Sequence, residues 1–147
     1  MAVGAALAAE MQGSTRRVFA IVSDAECEEG AVWEAAMFAS YHKVDNVCAI
    51  VDYNRIQLDG FVKDILDLEP LGAKWSSFGW HVIEVNGHEI AELQKAYAEF
   101  AATRGKPTAI LAHTVKGKGV SFMENNPKFH GVAPTDDEMR KALQELA

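Results

Sequence analysis

The 147-residue chain is poor in cysteine, in positive charge and in long apolar runs. Two cysteines, Cys27 and Cys48, are too few for a disulfide framework, and no secretory leader is recognisable. The expected compartment is therefore the reducing cytoplasm. Lys and Arg number 14 against 21 Asp and Glu, a formal charge of −7. A surface of that sign repels nucleic acid and anionic lipid, so neither is an expected partner. No uninterrupted apolar stretch reaches the ~18 residues that a membrane span needs. Internal repeats, low-complexity linkers and a G-x-x-x-x-G-K-[ST] phosphate loop are missing as well. With 49% hydrophobic and 24% charged residues, the chain has the balance of one globular domain covering 1–147.

Met1 to Glu10 is Ala-rich and begins without a capping side chain, as the second half of a buried helix would. Val18 to Val22 and Val47 to Val51 are continuous apolar runs that suit strands buried on both faces of a parallel sheet. Between them, Ala31 to His42 carries two apolar stripes. Val32, Ala35, Ala36 and Ala39 form one; Trp33, Met37 and Tyr41 form the other. Two stripes leave little polar face, which predicts a buried helix. Asp52 to Asp67 reads as a loop. A short helix from Leu71 to Phe78, a strand from Trp80 to Val85, a helix from Glu89 to Thr103 and a strand from Thr108 to His113 follow. Thr135 and Glu138 have capping-box spacing and open a last helix to Leu146. The alternation predicts an α/β fold with a mostly parallel sheet flanked by helices.

In open α/β sheets, ligands sit at the carboxyl ends of the strands. The residues there are Ser23-Asp24-Ala25, Asp52-Tyr53-Asn54, Gly87-His88 and Lys116-Gly117. Asp24 and Asn54 are separated by about one strand–helix–strand unit, roughly 30 residues, so both return to the same edge. A carboxylate, an amide oxygen and a loop carbonyl are donors that Mg²⁺ or Ca²⁺ prefers. Other polar groups read as structural. His42, His81, His88 and His113 are dispersed without ligand spacing, and Cys48 is a small buried hydrophobe. Cys27 lies in an acidic loop that raises its thiol pKa. Gly117-Lys118-Gly119 is only a weak phosphate-nest signal.

Ser23-Asp24-Ala25-Glu26 through Asp52-Tyr53-Asn54 resembles the thiamine-diphosphate motif, G-D-G at one end and D-x-N at the other. The flanking blocks are similar to transketolase. They are Glu28-Glu29-Gly30-Ala31-Val32-Trp33-Glu34-Ala35-Ala36, Ile50 to Gln57, Asp67-Leu68-Glu69-Pro70-Leu71, Phe78-Gly79-Trp80 and Val115 to Glu124. They follow the family's order along nearly the whole chain.

The resemblance implies a thiamine-diphosphate-binding fold, the diphosphate side of the family's site. It implies Mg²⁺, with Ca²⁺ as a substitute, held by Asp24, Asn54 and the carbonyl of Ile56. Ala25 and Glu26 would flank the cofactor, Leu58 would pack against it, and His130 would lie near the diphosphate and the reacting centre. Glu29 would sit near a dimer interface and couple two active sites. The implied activity is that of a transferase of the pentose phosphate pathway, moving a two-carbon ketol unit between sugar phosphates. A partner subunit would supply the pyrimidine-binding domain, or the chain would form a homodimer; the family's diphosphate domain also begins upstream of Met1, in a part that carries further histidines. One departure stands out: Ala25 replaces the third motif glycine, and at a positive φ its Cβ would cost ~1 kcal/mol, about fivefold in affinity. That departure leaves room for a non-catalytic binding or assembly module, and a thiamine enzyme with a 2-oxo acid donor is a third, weaker reading.

Overall fold

The computed structural model describes residues Met1–Ala147. Its helices are α1 (Ala2–Met11), α2 (Gly30–Tyr41), α3 (Val62–Ile65), α4 (Leu71–Ser77), α5 (Ile90–Ala102) and α6 (Asp136–Glu145). Its strands are β1 (Val18–Ser23), β2 (Val47–Tyr53), β3 (Ile56–Gln57), β4 (Gly60–Phe61), β5 (His81–Asn86) and β6 (Thr108–His113). β1, β2, β6 and β5 lie side by side in that order, all parallel. β3 and β4 form a separate antiparallel hairpin. As the alternating pattern implies, the architecture is α/β with a parallel sheet.

Side chains alternate across the sheet, so each face has its own core. On one face Val47, Ala49 and Val51 meet Ala6 of α1, Ala36 and Ala39 of α2, and Leu71 and Trp75 of α4. On the other, Cys48, Ile110 and Ala112 meet Ala96 and Phe100 of α5. β2 and β6 are central, and their apolar runs are buried on both sides. An aromatic cluster ties α2 to α4: Trp33 lies 5.3 Å from Trp75 and Trp75 lies 4.8 Å from Trp80, centroid to centroid. Two indoles also donate to backbone, Trp80 to the carbonyl of Ala36 at 2.9 Å and Trp33 to that of Cys27 at 2.7 Å. The second bond pins the turn that follows β1.

Four readings change. β1 is an edge strand, not one buried on both faces; Ile21 is 76% exposed. An apolar run cannot tell an edge from a centre, because periodicity is silent about neighbours. α2 buries only Ala36 and Ala39, while Met37 and Tyr41 turn outward and Trp33 is half-buried. α1 is uncapped as expected but buries only Ala6 and Ala9. The segment read as a loop holds the β3–β4 hairpin and α3. The capping box of α6 is present, with Thr135 Oγ1 accepting the Glu138 N–H at 3.3 Å. No helix is long and apolar enough to cross a membrane.

The edge position of β1 has a measurable consequence. Ile21→Thr keeps β-branching and removes only exposed methyl surface, so urea unfolding should shift by less than ~0.5 kcal/mol. Burial on both faces would instead make the same change cost more than ~2 kcal/mol through lost apolar area and an unpaired hydroxyl.

Candidate functional site

Asp24 follows β1 directly, and its side chain is only 1% exposed. It caps a 3₁₀ turn, Ala25–Glu28. Its Oδ1 accepts the N–H of Ala25 at 3.0 Å and its Oδ2 accepts the N–H of Arg55 at 2.8 Å. Its own N–H donates to the carbonyl of Asp52 at 3.2 Å, which stitches the ends of β1 and β2 together. Ser23 and Glu26 close the turn reciprocally. Ser23 Oγ accepts the Glu26 N–H at 3.0 Å, and Glu26 Oε2 accepts the Ser23 N–H at 2.7 Å. The S-x-x-E spacing is the sequence signal for this arrangement. It gives Ser23 a capping role and turns the Glu26 carboxylate onto the backbone.

Asn54 follows β2 and is 7% exposed. Its Oδ1 accepts the Ile56 N–H at 2.9 Å, an Asx-type turn. Its Nδ2 donates to Asp52 Oδ2 at 2.7 Å. Thr114 Oγ1, at the end of β6, donates to the other oxygen of Asp52. Between Asn54 and Ile56, Arg55 adopts φ +65°, a left-handed conformation rare outside glycine, and so aims its N–H at Asp24. The Arg55 guanidinium covers the Tyr53 ring at 4.7 Å and approaches Glu69 to 3.6 Å, while the Tyr53 hydroxyl donates to Glu69.

Asp24, Asn54, Arg55, Glu69, Thr114 and Asn125 contribute to the walls of a cleft of about 450 Å³ at this edge. The cleft is where the strand-end rule places ligands. Burial, with a smaller push from the Asp52 charge, raises the Asp24 carboxyl to about 6, against the pull of the two backbone N–H bonds. No ion pair of the chain involves Asp24. A buried carboxylate without a cationic partner is costly to ionise, and each of its oxygens keeps a free lone pair. Burial first, and then the charges of Asp24 and Glu26, push the Cys27 thiol up to about 12, which leaves it a poor nucleophile. Burial and the bond to Glu69 also raise Tyr53.

The structure brings some sequence-derived candidates together and leaves others apart. Asp24 and Asn54 share the cleft. The Ile56 side chain is buried beneath the start of β3. Leu58, in the hairpin turn, is exposed but lies against the segment bearing His130: a Cβ on Gly131 would stand 3.9 Å from Leu58 Cδ1. His130 ends an exposed 3₁₀ turn, Pro127–His130. Glu29 precedes α2, exposed, with its side chain capping nothing. No three His, Cys, Asp or Glu side chains converge as a metal cluster. In Gly117-Lys118-Gly119 the Gly119 N–H is taken by Glu124 Oε1 at 3.0 Å, so the protein's own carboxylate fills that nest. Sequence reasoning missed Asp52, Arg55, Glu69 and Thr114 as site residues. The D-x-N spacing was a signal for Asp52; nothing local marked the other three.

Ala25 is not among the residues with positive φ, so the ~1 kcal/mol backbone penalty considered for it does not arise. Ala25→Gly should therefore lower stability by about 0.5–1 kcal/mol in thermal unfolding, through added chain entropy. A rise in stability would instead reveal strain at this position.

The family model for the transketolase thiamine diphosphate binding domain matches residues 5–147. The chain belongs to that family. A 6-deoxy-6-sulfo-D-fructose transketolase subunit from Clostridium sp. (strain MSTE9) is 42% identical over 145 residues, 99% of this chain and 53% of the relative. An apulose-4-phosphate transketolase subunit from Actinobacillus succinogenes is 43% identical over 146 residues, 99% and 52% respectively. The chain thus spans about half the length of these transketolase-family relatives. Transketolase from Campylobacter jejuni superposes with a TM-score of 0.91 at 29% identity, covering 98% of this chain and 24% of that one. The family resemblance carried by the sequence blocks is therefore correct, and with it the diphosphate-binding type of fold.

Proposed function

We propose that this chain forms the diphosphate side of a transketolase-type site, one partial domain over 1–147 that forms a homodimer or works with a partner subunit, the pyrimidine-binding domain coming from the partner subunit. Asp24, the Asn54 amide oxygen and the Ile56 carbonyl hold Mg²⁺, for which Ca²⁺ can substitute. The observation that carries this reading is the buried Asp24 carboxylate, which lacks a cationic partner and shares a cleft with Asn54. Hard oxygen donors of this kind suit a divalent ion that also takes phosphate oxygens. Thiamine diphosphate, when bound, supplies the electron sink for cleaving a carbon–carbon bond beside a ketose carbonyl. The chain's own task is to bind and orient. Ala25 and Glu26 flank the diphosphate, Leu58 packs against the cofactor, His130 lies near the diphosphate end, and Glu29 faces the second protomer. The substrates are anionic sugars, sugar phosphates first, in keeping with the relatives' names; the compartment is the cytoplasm. A non-catalytic module is the weaker reading, since the backbone at Ala25 carries no penalty.

Calorimetric titration with thiamine diphosphate tests the proposal, first with Mg²⁺ and then with the metal chelated. Saturable heat with Mg²⁺, lost on chelation and restored by Ca²⁺, is expected. Absence of binding at millimolar cofactor in the presence of Mg²⁺ would overturn it.

A further inference from the structure

The turn after β5 holds a histidine committed to one tautomer. His88 Nε2 accepts the N–H of Val115 at 2.8 Å. A ring nitrogen that accepts is unprotonated, so the proton of the neutral ring sits on Nδ1. The turn is shaped around this contact. The Gly87 N–H donates to the His113 carbonyl at 2.8 Å and the His88 N–H to Asn86 Oδ1 at 3.0 Å. The Asn86 N–H in turn donates to Glu92 Oε2 at 2.7 Å. A Cβ on Gly87 would stand 2.5 Å from Thr114 Cγ2, so only glycine lets the turn close this far.

Val115 follows Thr114, and Thr114 donates to Asp52, which takes the Asn54 Nδ2–H. The Asp52 carboxylate takes the Asn54 amide nitrogen on one side while the Ile56 N–H takes Oδ1 on the other, so the two contacts together settle which way the amide faces. A continuous run of bonds leads from the turn after β5, across the end of β6, to the end of β2.

We propose that His88 is a positioning residue for the Asn54 amide: by holding the Val115 N–H it fixes the backbone from which Thr114 orients Asp52, and Asp52, together with the Ile56 N–H, sets which way Asn54 faces. The functional weight of this proposal rests on the reading of Asn54 as a ligand of the ion. His88 itself touches no ligand donor.

The test compares His88→Ala, His88→Gln, Thr114→Val and the His88→Ala/Thr114→Val double variant in the full chain. Gln offers an uncharged acceptor of similar reach. Three quantities are read: amide exchange at Val115 and the Asn54 side-chain amide resonance without cofactor, and Mg²⁺-dependent affinity for thiamine diphosphate. His88→Ala should speed Val115 exchange about tenfold, shift the Asn54 signal and weaken affinity about fivefold, as loss of one hydrogen bond implies. His88→Gln should restore all three. In the Thr114→Val background, His88→Ala should change affinity less than about twofold, because coupled residues are not additive. An unmoved Asn54 resonance, failure of Gln to rescue, or effects that multiply in the double variant would overturn the proposal. Should His88→Ala not fold, His88→Asn, which falls short of Val115, replaces it. Absence of cofactor binding in the wild type would sink the functional proposal, while the Asn54 resonance would still judge His88.

Discussion

Asp24→Asn is expected to abolish Mg²⁺-dependent binding of thiamine diphosphate and, separately, to erase a pH-dependent penalty on the fold. The first effect follows from the proposed ligand role. Replacing the one charged donor by an amide should weaken binding at least ~100-fold, about 2.7 kcal/mol. The second follows from burial. In the folded chain the Asp24 carboxyl sits near about 6, against an ordinary value near 3.8. Between those values the folded state holds more protons than the unfolded state. Stability of the metal-free protein therefore falls as pH rises from about 4 through about 6, by roughly 3 kcal/mol in all. Asn cannot titrate. The variant loses one backbone bond, because its NH₂ must face the N–H of either Ala25 or Arg55, but that offset is constant with pH. Urea unfolding of both proteins at pH 4.5 and 7.5 should show the difference moving by about 2 kcal/mol in the variant's favour, since the unfolded carboxyl is already largely ionised at the lower pH. A difference that stays flat would mean that Asp24 is not buried as a titrating group. Retained Mg²⁺-dependent binding in the variant would remove Asp24 from the ligand set.

Gly117→Ala should be the most damaging single methyl addition near the site. Gly117 has φ +75°, and a Cβ there would lie 2.5 Å from the Met123 carbonyl oxygen and 2.7 Å from its carbon. Backbone cannot swing aside as a side chain does. The left-handed conformation costs ~1 kcal/mol and the clash adds more, so about 3 kcal/mol is expected, or a melting temperature lower by roughly 6–12 °C. Gly13→Ala is the control: its φ is +63° and nothing lies within 4 Å of an added Cβ, so only the ~1 kcal/mol conformational cost should appear. Equal losses in the two variants would show that the turn yields at Met123. The turn also separates Thr114 from Asn125, two walls of the cleft, so the same change should weaken cofactor binding.

Much of the scaffold was readable from local pattern. The central strands β2 and β6 are unbroken apolar runs, and buried parallel strands demand such runs. Asp24 and Asn54 were readable because one strand–helix–strand unit returns the chain to the same edge. The exposure of Ile21 was not, since it depends on what lies beside β1 rather than on β1 itself. Two-residue strands such as β3 and β4 are too short to show a period. Thr114 and Glu69 reach the site from distant parts of the chain. Their roles come from tertiary contacts with Asp52 and Tyr53, which no local spacing encodes.

β1 and β2 run in register, with Ser23 opposite Asp52. Asp24 and Asn54 therefore depart from adjacent rungs of one ladder, on strands about 4.8 Å apart. The bite of the proposed chelate is set by the peptide spacing and not by the size or shape of any core side chain. Substitutions in the core should change how many molecules are folded, while each folded molecule keeps the same separation between Asp24 and Asn54. Such a scaffold tolerates sequence drift, as the superposition with the Campylobacter protein at 29% identity illustrates.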